Sequence, residues 1–457
     1  MDSVIDYIHM SRDRYVAELT EYLAIPSISA LPDHADDVAR CARWTADELG
    51  RVGLDNVQLI ETAGHPIVCA DWLHAPGAPT ILFYGHYDVQ PVDPLDEWES
   101  PPFEATVREG EIYARGSADD KGQIFMHFKA VEACLKQTGR LPVNMKLILE
   151  GEEEVGSTHL SEFVRDHQPE LAADVVVISD SPMFDRGVPS ICYGLRGLVY
   201  FQINLRGTTS DLHSGSFGGA VANPGFVLAQ VLSQMKDRGG RVKIPCFYDD
   251  VRPLHDDERE AFARLPFNER QYRSDLGAPK LFGERDYTTL ERVWARPTFE
   301  VNGLLSGFTG DGAKTVIPAV AMAKVSMRLV PDQEPDTIAK LFEDYVRTVT
   351  PKTVVLDITR MHDGKPWMTE LDNPFVQAAG RALERGFGRA PVFNREGISI
   401  PVVSTFQEVL GLPTVLFGVG LPDENAHAPN ERLDLGNFHK GIVASTYLYE
   451  EIGKLAN

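Results

Sequence analysis

A chain of 457 residues is longer than one ordinary hydrophobic core organises, and 43% hydrophobic with 24% charged residues is a globular balance that excludes a disordered or fibrous chain. The formal net charge of −23 creates a field that repels phosphate backbones and anionic lipid, so neither nucleic acid nor membrane is expected as a partner. No run is long and apolar enough to span a bilayer, and the acidic residues 1–6 do not resemble a secretory signal.

The five cysteines, Cys41, Cys69, Cys134, Cys192 and Cys246, are scattered and form no CxxC pair. Free thiols in a reducing cytoplasm are therefore expected, with neither a disulfide framework nor a thiolate zinc knuckle.

In chain order, the spacing predicts a helix over 35–50, strands over 66–73 and 80–85, a helix over 122–136, a strand over 143–149, a helix over 158–166 and a buried strand over 175–178. Such alternation predicts α/β layers on a mainly parallel sheet. Near residue 197 the period changes. Phe201, Ile203 and Leu205 alternate with Gln202, Asn204 and Arg206, as in a strand with one wet face. A helix over 224–236 follows, then the alternation of Val325, Met327 and Leu329. An apolar helical stripe runs from Ile338 to Val349, and a strand covers 353–359. This pattern predicts a small half-wet sheet covered by helices on one face, inserted at about 197–365 between the two parts of an α/β domain, 1–196 and 366–457. Beyond residue 366 a helix over 373–386, a short strand over 414–417 and a closing helix over 436–452 complete that domain.

Five segments place acidic or imidazole groups just after apolar strands, where α/β folds assemble sites. His86 and Asp88 follow the first, two residues apart and so on one face of an extended chain; a carboxylate there can fix the second nitrogen of a metal-bound imidazole. Asp119 and Asp120 precede a helix, a position that suits an N-cap as well as a bridging carboxylate. Glu152, Glu153 and Glu154 are adjacent at a strand end; unless all are solvated, their repulsion calls for positive charge among them. Asp180 ends a buried strand, and His427 sits in a polar loop after the strand over 414–417. Singly, each has an ordinary explanation as a cap or a wet loop. Together they form a two-metal ligand set of imidazoles and carboxylates that suits zinc or manganese, and the lack of cysteine in it points to a catalytic centre.

At these residues the sequence resembles the aminoacylase/carboxypeptidase-type di-metal peptidase family, in its cytosolic nonspecific dipeptidase and carnosine dipeptidase branch. The resemblance runs from about residue 20 to the end. It includes YGLRG at 193–197, DLHSG at 211–215, GAKTVIP at 312–318, MRLVP at 327–331, GKPW at 364–367, REG at 395–397 and SIP at 399–401. It departs at Glu152, where relatives carry an apolar residue, and at Ile398, often a glycine.

The resemblance implies a phosphorylase/hydrolase-like catalytic domain interrupted by a ferredoxin-like α+β lid and dimerisation domain, in a homodimer. His86 and Asp180 would hold one metal, Glu154 and His427 the other, and Asp119 would bridge them through a cis Asp119–Asp120 peptide. Two divalent cations about 3.5–4 Å apart would share and acidify a water, Glu153 would shuttle its proton, and Asp88 would orient His86. His213 of a partner subunit would steady the oxyanion. Arg328, with Thr315 and Ser399, would clamp the substrate carboxylate, and Glu396 would pair with the amino terminus. A site that grips both ends favours dipeptides, such as Cys-Gly or β-alanyl-His. An N-acyl-amino-acid deacylase and a catalytically silent peptide-binding protein are the competing expectations; the presence of Glu153 and all five ligands weighs against the second.

Overall fold

The residues Val175–Ile178 are four consecutive apolar side chains, all buried, as a strand covered on both faces requires. Thr80–His86 lies beside them and is buried along nearly its whole length. The computed structural model describes residues 1–398 and 400–455. These residues divide into two compact units. One comprises Met1–Tyr193, Thr369–Asn394 and Pro401–Asn457, the other Gly194–Met368 and Arg395–Ile400. Residues 395–398 and 400, which the sequence pattern assigns to the first unit, group with the second.

The first unit holds a sheet whose four central strands run parallel in the order Asn144–Glu150, Thr80–His86, Val175–Ile178, Thr414–Leu416. Antiparallel strands extend it on both sides. Ile67–Trp72 and Asp55–Ile60 lie beyond the first, and Ser190–Leu195 beyond the last. Helix Lys121–Thr138 is buried from Lys121 to Cys134 and contacts helices Ala35–Val52 and Leu435–Gly453. Such all-round burial forces its charged residues to find partners. Lys129 Nζ donates to Glu18 and Glu48 at 2.5 Å each and to Glu132 at 3.3 Å, while Arg14 and Arg51 complete the network. Helices Asp2–Met10 and Arg12–Leu23, which the periodicity did not announce, bury Val4, Ile8, Tyr15 and Leu19 in the same core.

The second unit contains a four-stranded antiparallel sheet in the order Thr298–Ser306, Val320–Leu329, Gly197–Arg206, Val355–Gly364. Helix Pro224–Ser233 follows the first strand in sequence and Pro335–Val349 the third, which makes the βαββαβ order of a ferredoxin-like unit. One face carries Val199, Phe201, Ile203, Val325 and Met327 into a core with Val231, Ile338 and Phe342. Thr298–Ser306 is an edge strand absent from the sequence expectation. Its burial does not alternate cleanly, because Val301, Leu304 and Leu305 are exposed.

Candidate metal centre

All four parallel strands of the first unit end at the same edge of the sheet, and each delivers chemistry there. Thr80–His86 ends in His86, with Asp88 two residues on. Asn144–Glu150 leads into the turn Glu153–Val155, Val175–Ile178 leads to Asp180, and Thr414–Leu416 leads to the loop of His427. Asp119 arrives from the turn before helix Lys121–Thr138, and the Asp119–Asp120 peptide is cis. The chain needs glycine to bring these pieces together. A Cβ on Gly85 would lie 2.2 Å from Ile124 Cγ2 and 2.8 Å from Asp120 Oδ2, and one on Gly122 would lie 1.9 Å from the Ser117 carbonyl.

The imidazole of His86 is fully buried. Its Nδ1–H donates to the Asp88 carbonyl at 3.2 Å, with Asp88 Oδ1 at 3.4 Å. Its Nε2 makes no hydrogen bond, yet faces Asp119 Oδ1 at 3.1 Å and Asp180 Oδ2 at 3.8 Å. The other oxygen of Asp119 lies 2.8 Å from Nε2 of His427, which is also 3.2 Å from Glu154 Oε2. Two trios of donors therefore share Asp119: His86, Asp119 and Asp180, and Asp119, Glu154 and His427. Among the described residues a third group, Glu18, Glu48 and Glu132, has the spacing of a cation site, but the Lys129 ammonium already occupies its centre.

Electrostatics shows what these trios fit. Burial, and then the charges of Asp119 and Glu154, push Asp180 up to about 7. Burial and the charges of Asp180, Asp119 and Glu154 raise Glu153 well above the usual carboxylate range, although His86 opposes them. Burial works against the His86 imidazolium, but Asp119 and Asp88 outweigh it and raise its pKa. Asp119 and Glu154 raise His427 to about 10. Carboxylates packed this densely with a buried imidazole nitrogen lacking a hydrogen bond fit divalent cations, which would offset the repulsion and use that lone pair.

Neighbouring residues hold the donors in place. Both oxygens of Asp88 accept backbone N–H groups, from Glu153 at 3.3 Å and Glu154 at 3.2 Å, so this carboxylate fixes the glutamate turn as well as facing His86. Glu152 turns away to His159, 2.8 Å from Nδ1, and so lies outside both trios. Gln90 donates to Glu154 Oε2 at 2.8 Å. Glu431 is buried against Arg115 at 2.6 Å and accepts the N–H groups of Gly116, Ala118 and Asp119 at 2.9–3.1 Å, which shapes the turn that presents Asp119. Sequence reasoning missed Glu431 and Gln90. For Glu431 the available signal was an unmatched Arg115 in one site segment and an unmatched glutamate in another. The cap expected of Asp120 is not formed. It stands at the N-cap position but makes no side-chain cap bond, and its Oδ2 instead accepts the His86 N–H at 3.3 Å.

The remaining expected residues lie in the second unit, apart from Ser399, which falls outside the described residues. His213 pairs with Val316 in a two-stranded ladder, and Ser214 N–H donates to the Thr315 carbonyl at 3.0 Å, so His213 and Thr315 are neighbours. Nδ1 of His213 accepts the N–H groups of Gly215 and Ser216, which leaves the proton on Nε2 as a donor. Arg328 lies on the wet face of the sheet, near enough to Arg196 for mutual repulsion, and Glu396 attracts Arg196.

An α/β unit with two imidazole–carboxylate trios on one aspartate, joined in sequence to a ferredoxin-like unit, has the makings of a metallohydrolase. The chain belongs to peptidase family M20/M25/M40, whose sequence profile matches residues 82–451. It is 34% identical over 466 residues to the Cys-Gly metallodipeptidase dug1 of Schizosaccharomyces pombe, covering 98% of each chain. It is 31% identical over 475 residues to the human Beta-Ala-His dipeptidase, covering 100% of this chain and 93% of the other. A solved M20 family metallo-carboxypeptidase, Sso-CP2 from Sulfolobus solfataricus, superposes with a TM-score of 0.87 at 33% identity, covering 96% of this chain and 99% of the other.

Proposed function

We propose that the protein hydrolyses the peptide bond of dipeptides at a centre of two divalent cations, with Cys-Gly and β-alanyl-His among the substrates to test. The observation that carries this reading is the sharing of Asp119 between two donor trios, with Glu153 beside them. Membership of the peptidase family and the dipeptidase names of its relatives support it.

His86 and Asp180 would hold one cation, Glu154 and His427 the other, and Asp119 both. The oxygen and imidazole donors suit zinc first and manganese second. When bound, the cations supply Lewis acidity that acidifies water and polarises the scissile carbonyl. Glu153 takes the proton of the attacking water and passes it to the departing amine, a transfer suited to a carboxylate that burial holds above the usual range. Asp88 orients His86. His213, with its Nε2–H free to donate by tautomer, steadies the oxyanion. Arg328, Thr315 and Ser399 receive the substrate carboxylate, and Glu396 the free amino group.

The second unit is proposed as a lid and dimerisation domain. Val301, Leu304 and Leu305 on its edge strand are exposed apolar residues, as is Val320 on the strand beside it, a surface that suits pairing with a second copy. The free cysteines suit a cytoplasmic setting.

The test is turnover of Ala-Ala, Leu-Gly, Cys-Gly and β-alanyl-His after chelation and restoration with zinc, manganese or cobalt, beside N-acetylated dipeptides and tripeptides. Restored cleavage of free dipeptides alone is the expected result. Cleavage of the acetylated compounds alone would establish a deacylase, release of the C-terminal residue from tripeptides a carboxypeptidase, and no turnover with any metal would favour a binding protein.

A further inference from the structure

The second unit contains a cavity of about 380 Å³ in which the charge of the molecule is inverted. The chain carries a net −23, yet Arg196, Lys236, Arg292, Arg296 and Arg328 all line this one cavity. Two carboxylates, Glu284 and Glu300, share the lining, which leaves an excess of three positive charges. The floor is the wet face of the sheet, where Thr298 stands opposite Arg328 and Glu300 opposite Ser326 in register. The opposite wall is the segment from Phe282 to Thr298, held to the floor of its own turn by Arg292 Nε, which donates to the Glu284 carbonyl at 2.8 Å.

Neighbouring groups hold the cations of the cavity, and Arg196 donates from Nε to the Gly397 carbonyl at 3.2 Å and from Nη1 to the Arg296 carbonyl at 3.4 Å. Lys236 Nζ lies 2.7 Å from Glu300 and Arg296 Nη2 lies 3.0 Å from Glu284. Burial, followed by the charge of Arg328, depresses Arg196 to about 10, and burial also depresses Arg328. Glu300 and Glu396 oppose that shift at Arg196 without reversing it. Guanidinium groups that repel one another in a half-buried recess, beside hydroxyl donors from Thr298 and Ser326, form a recess suited to an oxyanion. The volume is that of a small-molecule pocket.

We propose that this cavity is a carboxylate-binding pocket, receiving a second carboxylate beyond the one assigned to Arg328. Its source is either the acidic side chain of a dipeptide that ends in Glu or Asp, or a free dicarboxylate. The first source, and the ranking of this carboxylate as a second one, rest on the dipeptidase reading; the cluster of cations in the cavity does not.

The test uses the metal-loaded full chain, with glutarate as the probe in isothermal titration. Arg292→Gln removes one cation from the wall and weakens glutarate binding about tenfold. Glu300→Gln removes an exposed carboxylate and strengthens binding, with a steeper loss on adding salt. Opposite shifts cannot come from damage to the fold. Equal affinity in all three proteins, weakening in both variants, or no saturable binding would overturn the pocket.

Kinetics then separates the sources. A fall of about tenfold in kcat/KM for Ala-Glu relative to Ala-Gln in Arg292→Gln assigns the pocket to the substrate side chain. An unchanged ratio beside opposite glutarate shifts assigns it to a free dicarboxylate. Opposite shifts in a protein that cleaves no dipeptide would retain the pocket and remove the dipeptidase reading, and cleavage without any shift would do the reverse.

Discussion

The carboxylate of Asp88 receives the N–H groups of Glu153 and Glu154 while its own carbonyl receives Nδ1–H of His86, so one residue ties two strand ends together. It thereby sets which of three adjacent glutamates faces what. Glu152 goes to His159, Glu154 goes to His427, and Glu153 stays among Asp119, Asp180 and His86 without being a member of either trio. The glutamates of this turn thus predict separable phenotypes. Glu153→Gln keeps its metal content by elemental analysis and loses turnover by about 10²–10⁴-fold, the contribution of a positioned proton-transfer group. Glu154→Gln loses metal along with activity. Full activity in Glu153→Gln would place the base elsewhere. Glu431 acts one step further out, through the turn that presents Asp119, so Glu431→Gln is expected to weaken metal affinity by about 10–100-fold, as changes behind a ligand do.

Helix Lys121–Thr138 shows the same economy over a whole element. Its first residues follow the Asp119 turn, and its middle holds His127 between Tyr449 of helix Leu435–Gly453 and Ser179, which precedes Asp180. Ser179 Oγ donates to the Phe417 carbonyl and therefore accepts from His127 Nε2–H, while Nδ1 accepts from the Tyr449 hydroxyl. Both nitrogens are thus used by the neutral ring, and burial depresses His127 to about 3. In the unfolded chain the same group titrates near 6.5, so between these values the unfolded state binds the extra proton. The stability contributed by neutral His127 is complete above about pH 6.5 and falls with pH below it, by about 2 kcal/mol at pH 5. Denaturant unfolding of metal-loaded wild type and His127→Gln at pH 8 and pH 5 measures this. The wild type is expected to lose about 2 kcal/mol more than the variant, and identical losses would refute the assignment.

Across the whole molecule, charge and assembly dominate. Buried carboxylates that repel one another predict a chain stabilised by bound cations. Chelation should lower the melting temperature, and zinc or manganese should restore it in proportion to concentration, as binding to the folded state alone requires. A melting temperature indifferent to chelator would remove the metal centre from the account. If the exposed edge of the second unit pairs two copies, Leu304→Asp should shift the sedimentation coefficient from dimer to monomer. Mixed dimers of Glu153→Gln and His213→Ala then test whether sites are completed across subunits. Random pairing with a shared site predicts recovery to about a quarter of wild-type turnover, and no recovery in verified mixed dimers rejects sharing.

Much of the site was legible because apolar runs ending in His, Asp or Glu betray strand ends, and strand ends are where parallel sheets expose their chain. His86 and Asp180 follow their strands directly, whereas Asp119 before a helix, Glu154 among three glutamates and His427 in a loop are singled out only in combination and by the family resemblance; the wet-and-dry alternation of Gly197–Arg206 announces a second kind of sheet. The edge strand Thr298–Ser306 was hidden because an edge with exposed Val301, Leu304 and Leu305 has no clean period. The N-terminal helices were hidden because their burial is decided by a core built from later segments.

Residue type and order along the chain determined the family and raised the expectation of the donor set and of a two-unit plan, since these depend on local periodicity and on what each side chain can ligate. Only the tertiary structure decided that Asp119 faces both imidazoles, that Glu152 turns to His159, that Glu431 supports the Asp119 turn, and that five cations from distant segments line one cavity in an acidic protein. Each of these is a distance between residues far apart in sequence or a direction taken by a side chain, set by packing, and no local pattern encodes it.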